Sequence, residues 1–202
     1  MKPLSSARTE MRVLADGRLE LTIEHDVLKG VTPTMLLWWF THIEGEMEHE
    51  GAPVPRYLVW HPLDHIDYRV LDRPPSGEIG AGVRFNIVEA FGRDPRYFVD
   101  TTDVVEKLDE TGIVLSYSLL GRAQIFRLEH RFEAVPEGTL YRSQVLIGSD
   151  SAFGRLFFNR LVRPRRFPEE MGRAWLRHNV EEVGNFEHFL PALYTTAGPG
   201  PE

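Results

Sequence analysis

The chain has 202 residues, 42% of them hydrophobic, which is enough for one domain with a single core. Its formal net charge of −7 argues against a nucleic-acid partner, because phosphate binding needs a dominant basic surface, and the short basic cluster RPRRF at residues 163–167 is expected to be a solvated turn. The sequence contains no cysteine, which excludes disulfides and thiolate metal sites and leaves His, Asp and Glu as possible side-chain ligands.

The N-terminal segment MKPLSSARTEMRVL has no apolar core of signal-peptide length. No apolar run elsewhere approaches the roughly 18 residues of a membrane span. We therefore expect a soluble, cytoplasmic protein with no membrane partner.

The first 50 residues contain one hairpin pattern and one helical pattern. Two extended runs flank Asp16 and Gly17 within residues 11–25, which is typical of a hairpin. VTPTMLLWWFTHIEGEME, at residues 31–48, has helical spacing, with Thr32 as its cap and Pro33 at its first position.

Beyond residue 56 the hydrophobic period changes to two, and β-branched or aromatic runs alternate with turn residues. This pattern predicts strands at residues 57–61, 65–72, 82–92, 96–109, 112–120, 123–135 and 139–149. Residues 151–162 and 167–194 are predicted helices, the second ending near Pro191, and residues 196–202 are expected to be a disordered tail.

Closely spaced strands followed by one long helix predict an α+β helix-grip architecture of the START or Bet v 1-like type. In this arrangement a curved antiparallel sheet wraps a C-terminal helix and leaves a cavity suited to a small molecule. We assign residues 1–195 to this domain. Fold analogy alone does not specify chemistry.

Two ionisable residues interrupt the apolar stripe of the last helix. In WLRHNVEEVGN, at residues 175–185, His178 and Glu182 lie one turn apart on the same face. Burying an unpaired carboxylate costs several kcal/mol, so Glu182 needs a cation, a proton or a metal there. The whole stripe consists of Met171, Trp175, His178, Glu182, Asn185 and Phe189.

Polar residues also share apolar faces of the predicted strands. Glu89 alternates in phase with Val83, Phe85 and Ile87, His130 with Phe126, Leu128 and Phe132, and Tyr141 with Ser143, Val145 and Ile147. In HPLDH, either His61 or His65 could meet Glu89, His178 and Glu182. Two imidazoles and two carboxylates would suit zinc and accept manganese, iron or cobalt.

Each feature also has an ordinary structural interpretation. His178 and Glu182 can form a simple helical contact, and His130 can be a hydrogen-bonded core histidine. HPLDH can be a turn in which Asp64 caps backbone amides. The coincidence of these features keeps both interpretations open.

The motifs YLVWHPLDHIDY (57–68), VEAFG (88–92) and HNVEEVGNFEHFLPALY (178–194) resemble the 2,4-diacetylphloroglucinol hydrolase family, which includes phloretin hydrolase-like enzymes. The resemblance covers most of the chain from the WWF helix onward. It implies a helix-grip, zinc-dependent hydrolase that cleaves the carbon–carbon bond between an acyl group and a polyhydroxylated aromatic ring. It also implies metal ligands at His65, Glu89, His178 and Glu182. His65 is preferred because His61, just before Pro62, can be held in the turn.

For substrate contacts, the resemblance and the face pattern together indicate Tyr57, His130 and Tyr141, with Tyr68 a weaker candidate. We expect His130 to be the general acid and the two tyrosines to position phenolic oxygens. Trp175 and Phe189 are expected to form an apolar wall. The expected partner is a small aromatic ketone, and a homodimer is possible.

Two hypotheses from other classes stay open. The first is a noncatalytic START-like carrier of an aromatic or polyketide ligand, with no metal requirement. The second is a purely structural metal site, whose removal would unfold the chain.

Overall fold

The computed structural model describes residues 1–75, 77–119 and 123–199. Within these residues an antiparallel sheet contains nine strands: β1 (Ala7–Val13), β2 (Leu19–His25), β3 (Leu28–Lys29), β6 (His65–Asp72), β7 (Arg84–Ala90), β8 (Phe98–Asp109), β9 (Gly112–Leu119), β10 (Ala123–Val135) and β11 (Gly138–Ile147). Their order across the sheet is β1-β2-β11-β10-β9-β8-β7-β6, with the short β3 paired to β11. A separate hairpin consists of β4 (Glu46–His49) and β5 (Ala52–Pro55).

The α-helices and one π-helix lie before β6 and after β11. They are α1 (Pro33–His42), α2 (Arg56–Trp60), the π-helix (Gly154–Val162), α3 (Arg163–Arg166) and α4 (Glu169–Ala197), and short 3-10 helices occur at Leu4–Ser6, Phe91–Arg93 and Pro95–Tyr97. The predicted hairpin around Gly17 and the cap of α1 are confirmed: Gly17 has a φ of 82°, and Thr32 accepts a hydrogen bond from the backbone N–H of Met35.

The long helix α4 packs on the concave face of the sheet. Val183, Phe186 and Leu190 are fully buried in a core that also contains Trp39 from α1. Nearer the start of α4, Met171 and Trp175 pack with Leu19 and Leu21 of β2 in a second cluster. This is the predicted helix-grip arrangement, and it leaves a cavity between the sheet and the helix.

Two secondary-structure predictions for the segment before β6 are wrong. The helical pattern of residues 31–48 stops at His42, since Gly45 has a φ of 131° and the chain then turns into β4. Residues 57–61 were predicted as a strand, but Tyr57 to Trp60 belong to α2. Short apolar runs give the same hydrophobic signal in a buried helix and a buried strand.

The C-terminal elements also differ from the predictions. The basic cluster is helical rather than a solvated turn, and Arg163 is buried, where its Nη2 donates to the carbonyl of Gly17 at 3.3 Å. Helix α4 continues past Pro191 to Ala197, because Leu193 and Tyr194 pack against the core. The predicted tail therefore begins too early.

Leu120 and residues 200–202 lie outside the described residues, so those parts of the strand and tail predictions stay open. Among the described residues, no helix combines the length and hydropathy needed to cross a membrane.

Candidate metal centre and cavity

The turn between α2 and β6 fixes the ring of His65. The Nδ1 atom of His65 lies 2.7 Å from the carbonyl oxygen of Tyr57, and the Tyr57 ring stacks on the imidazole with 3.9 Å between centroids. A carbonyl only accepts, so Nδ1 carries the proton and Nε2 has a free lone pair. That Nε2 atom is buried and has no hydrogen-bond partner among the described residues.

The far end of α2 is held by the long helix. The Nδ2 atom of Asn185 donates to the carbonyls of both Val59 and Trp60 at 3.0 Å. These terminal carbonyls would otherwise lack intrahelical partners. The stripe residue Asn185 therefore anchors the turn that carries His65.

His178 is oriented in a similar way by Asp64. Its Nδ1 atom lies 3.1 Å from Asp64 Oδ2, and Asp64 also accepts backbone hydrogen bonds from Gly92 and Arg93. Burial acts to raise the pKa of Asp64, but the hydrogen bonds from His178 and Gly92 outweigh it and lower the pKa to about 2. The ionised Asp64 holds the proton of His178 on Nδ1 and leaves Nε2 free to bind.

Two carboxylates face these free nitrogens. His65 Nε2 lies 3.4 Å from Glu89 Oε1 and 3.3 Å from Glu182 Oε2. His178 Nε2 lies 3.9 Å from Glu89 Oε2 and 3.6 Å from Glu182 Oε2. The sheet register places Glu89 directly opposite His65, and α4 supplies the other pair.

Each carboxylate is held by one further side chain. The hydroxyl of Tyr57 donates to Glu89 Oε1, and Asn179 Nδ2 donates to Glu182 Oε1 at 2.5 Å. The oxygen Oε2 of Glu182 is left to face both imidazoles. The four predicted ligands therefore converge with their free atoms turned toward one another.

The electrostatics of this cluster favour a bound cation. Burial raises the pKa of both Glu89 and Glu182, and burial lowers the pKa of His65 and lowers that of His178 to about 3. Among the described residues, no lysine or arginine pairs with either carboxylate. A divalent cation would stabilise the ionised form of both carboxyl groups, which burial otherwise disfavours.

The spacing of the donor atoms also fits one cation. With metal–ligand bonds of about 2.0–2.2 Å, two ligand atoms on one ion lie roughly 3–4 Å apart. The separations of 3.3 and 3.6 Å from Glu182 Oε2 to the two imidazoles fall in that range, and the donor atoms of His65, His178 and Glu182 all lie within 4.8 Å of one another. Glu89 faces His65 with Oε1 and His178 with Oε2. Among the described residues the Nε2 atoms of both His61 and His65 are buried without a hydrogen-bond partner, and that of His65 faces Glu89 and Glu182.

His61 occupies a different position from His65. Its Nε2 atom lies 3.9 Å from Asp64 Oδ2 and 3.4 Å from Glu181 Oε2, and its ring stacks on His178 at 4.6 Å. His61, Asp64 and His178 form a second close group that could hold a metal. His65 is nevertheless the histidine that meets Glu89 and Glu182.

This histidine–glutamate cluster borders a cavity of about 210 Å³: Glu89, His178 and Glu182 line it, and His65 is not among its described lining residues. Most lining side chains are apolar, as is typical of small-molecule sites. Polar groups enter from Glu89, His178 and Glu182, from Tyr57, Tyr68 and His130, and from Thr101, Asp103 and Tyr117.

The three residues predicted to contact substrate occupy distinct positions. Tyr57 and His130 line the cavity, whereas Tyr141 is not among its described lining residues. Tyr141 lies behind His130, with 5.1 Å between ring centroids, and is buried with an unpartnered hydroxyl. The functional roles of these three residues stay predictions.

Ser143 and His25 stand behind His130 and are hydrogen-bonded to it in sequence. The hydroxyl of Ser143 lies 2.9 Å from His130 Nδ1 and 3.0 Å from His25 Nε2. Burial lowers the pKa of both His25 and His130 to about 3, so both are neutral at neutral pH. The single hydroxyl proton couples the tautomers of the two rings.

Sequence reasoning missed several supporting residues. Asp64 was considered only as a cap, although it both caps the loop and orients His178. Asp103 shares the inward face of β8 with Val99 and Thr101, a two-residue period that could have revealed it. Of the two residues predicted to form an apolar wall, Trp175 lines the cavity. Phe189 is not among the described lining residues and packs on Trp39 instead, with 5.0 Å between ring centroids.

Comparison with known proteins agrees with this geometry. A family model described as the DAPG hydrolase PhiG domain matches residues 8–195. None of the curated proteins matches the chain.

Solved structures share the fold at low sequence identity. A START superfamily protein from Mycobacterium smegmatis is 12% identical, with a TM-score of 0.53 and coverage of 86% of this chain and 98% of that one. Ara h 8.0201 is 11% identical, with a TM-score of 0.51 and coverage of 92% and 99%. At such identities the likeness supports the fold alone.

Proposed function

Because the chain belongs to the DAPG hydrolase PhiG domain family, we propose that it is a zinc-dependent hydrolase that cleaves the carbon–carbon bond between an acyl group and a polyhydroxylated aromatic ring. The observation that carries this proposal is the convergence of His65, Glu89, His178 and Glu182 beside a largely apolar cavity that the last three of them line. Zinc is favoured by the mixed nitrogen and oxygen donors, although another divalent metal could bind them.

The reaction requires water to add to the acyl carbon and the bond to the ring to break. The hydroxyl group of water ends on the carboxylic acid, and the electron pair of the broken bond stays with the ring carbon and takes up a proton. The four residues would hold a divalent cation, which would supply Lewis acidity for the hydrolysis. The protein's own residues must bind the ring and deliver the proton.

His130 lines the cavity, and because burial lowers its pKa to about 3 its ring is neutral, so it would deliver a proton from Nε2 only while Nδ1 takes up another. The Ser143 hydroxyl, shared with His25, can pass that replacement proton to His130 Nδ1 as the Nε2 proton moves to the ring carbon of the substrate. Tyr57 stands beside Glu89 and can direct a phenolic oxygen of the substrate, with Tyr68 adjacent in the lining. Trp175 supplies apolar surface for the ring.

The test is turnover of monoacetylphloroglucinol by the purified protein, followed by NMR detection of acetate and phloroglucinol. We expect both products in equal amounts, loss of activity with a chelator and recovery on adding zinc. No turnover by a protein that contains its metal would contradict the proposal.

A second candidate is a noncatalytic carrier of an aromatic molecule, which the largely apolar lining also suits. A carrier would bind acylphloroglucinols with unchanged affinity after metal removal and would release them intact. The same chelator experiment therefore distinguishes the two functions.

A further inference from the structure

Another carboxyl group faces the cavity, away from the proposed metal ligands His65, Glu89, His178 and Glu182. Asp103 of β8 is 2% exposed and lines the cavity. Its one hydrogen bond among the described residues comes from the hydroxyl of Thr101, 3.1 Å from Oδ1. No lysine, arginine or histidine in the described part of the chain pairs with it.

The sheet register shows that Asp103 lies far from Glu89, the proposed metal ligand on β7. Across β7 and β8, Glu89 pairs with Val99 and Phe85 pairs with Asp103. Four residues of strand correspond to about 13 Å between these positions. Thr101, which pairs with Ile87, lies between them on the same inward face.

The surroundings of Asp103 make an unliganded carboxyl group costly. Phe85, Leu108, Ile113 and Leu115 line the same part of the wall with apolar surface. Burial raises the pKa of Asp103 to about 7. A carboxyl group has about four acceptor positions, and Thr101 satisfies one of them, so most of its hydrogen-bonding capacity is open to a ligand.

We propose that Asp103 and Thr101 form a distal subsite that binds a hydroxyl group of the substrate. The substrate is then an aryl ketone longer than one ring, whose acyl chain carries a hydroxyl donor at the end remote from its carbonyl. This inference rests on the proposed function for the orientation of the ketone. It extends that function by adding a second recognition point.

The test compares two 2,4,6-trihydroxyphenyl ketones whose three-carbon acyl chains end in a 4-hydroxyphenyl or a phenyl group. Trp60 and Trp175 line the cavity, so quenching of tryptophan fluorescence on stopped-flow mixing reports binding before turnover. We expect the parent protein to bind the hydroxylated ketone roughly 10- to 100-fold more tightly, the usual strength of a hydrogen bond to a charged group.

Variants then assign that preference to Asp103. Asp103→Leu should reduce the affinity ratio to about one, and Asp103→Asn, which preserves shape, should reduce it several-fold. The matched control is Asp100→Asn on the exposed face of the same strand, where the ratio should be unchanged.

Equal binding of the two ketones by the parent, including no binding of either, would overturn the subsite, as would an unchanged ratio in Asp103→Leu. If Asp103→Leu does not fold, the ratio in Asp103→Asn decides in the same way. Both ketones present the same carbonyl, so a preference without cleavage would support the subsite while contradicting the proposed hydrolysis.

Discussion

His65 at the start of β6 and Glu182 in the middle of α4 place Nε2 and Oε2 only 3.3 Å apart. A sheet edge and the long helix therefore meet at one point in the cavity wall. The proposed metal centre depends on this contact, because neither element alone brings both imidazoles and both carboxylates together.

The first prediction separates the two histidines of the HPLDH turn. His65→Ala should lower zinc affinity by at least 100-fold, because it removes a direct ligand. His61→Ala should change it by less than about tenfold, since His61 faces Asp64 and Glu181 instead. Competition with a fluorescent chelator measures both values, and the reverse order would show that the ligand is assigned to the wrong histidine.

The second prediction concerns the orientation of His178. Asp64→Asn should weaken zinc binding roughly 10- to 100-fold without abolishing it, because the amide no longer holds the imidazole through a charged hydrogen bond. The control is Asp67→Asn, a carboxylate on β6 that pairs with Arg69. Equal affinities for the Asp64 and Asp67 variants would contradict an orienting role.

The third prediction is that adding zinc reverses the order of thermal stability of the parent protein and the Glu182→Gln variant. In metal-free protein, Glu182→Gln should raise the melting temperature, because it removes a buried carboxyl group that has no lysine or arginine partner among the described residues. With saturating zinc, the parent should be the more stable protein, because only it retains the full ligand set. Scanning calorimetry with and without zinc measures this, with Glu170→Gln on the exposed surface as control.

The fourth prediction concerns pH and Asp103. Burial raises the pKa of Asp103 from its ordinary value of 3.8 to about 7 in the folded protein. Between these values the folded state keeps a proton that the unfolded state has lost, so this group's stabilising contribution falls as pH rises and is lost above about pH 7. The nearby charged group is Glu89, whose pKa Asp103 also raises.

Asp103→Asn removes this titration. The variant should be more stable than the parent at about pH 8, by up to a few kcal/mol, and the difference should shrink toward about pH 4. Urea unfolding at several pH values measures the difference, and Asp100→Asn should follow the parent. Parallel pH profiles for the parent and Asp103→Asn would show that Asp103 does not titrate in this range.

The fifth prediction isolates proton delivery from metal binding. His130→Gln should lower kcat on acylphloroglucinols by roughly 10²- to 10⁴-fold while the zinc content stays unchanged. Glu129→Gln, on the neighbouring position and paired with Arg127 and Arg131, is the matched control. A His130 variant with parental kcat would remove His130 from the mechanism.

The sequence was most informative where a strict period met an unexpected polar residue. The stripe of α4 predicted that His178 and Glu182 face inward, and the alternation of β7 did the same for Glu89. Such patterns are reliable because a one-residue slip would turn every side chain of a strand to the other face.

Local runs without a clear period were less informative. The hydrophobic run from Tyr57 to Trp60 is compatible with either a helix or a strand. The helix is stabilised by hydrogen bonds from Asn185, which is distant in the chain. The pairing of Asp64 with His178 likewise arises from tertiary packing. Neither contact can be predicted from the local sequence around the residues that form it.

The most direct test of the metal centre is elemental analysis by plasma mass spectrometry of the purified parent protein beside Glu182→Ala. We predict about one zinc ion per chain in the parent and little in the variant, with both proteins folded by circular dichroism. Equal metal content in the two proteins, or no metal in the parent even after incubation with zinc, would contradict the proposed centre.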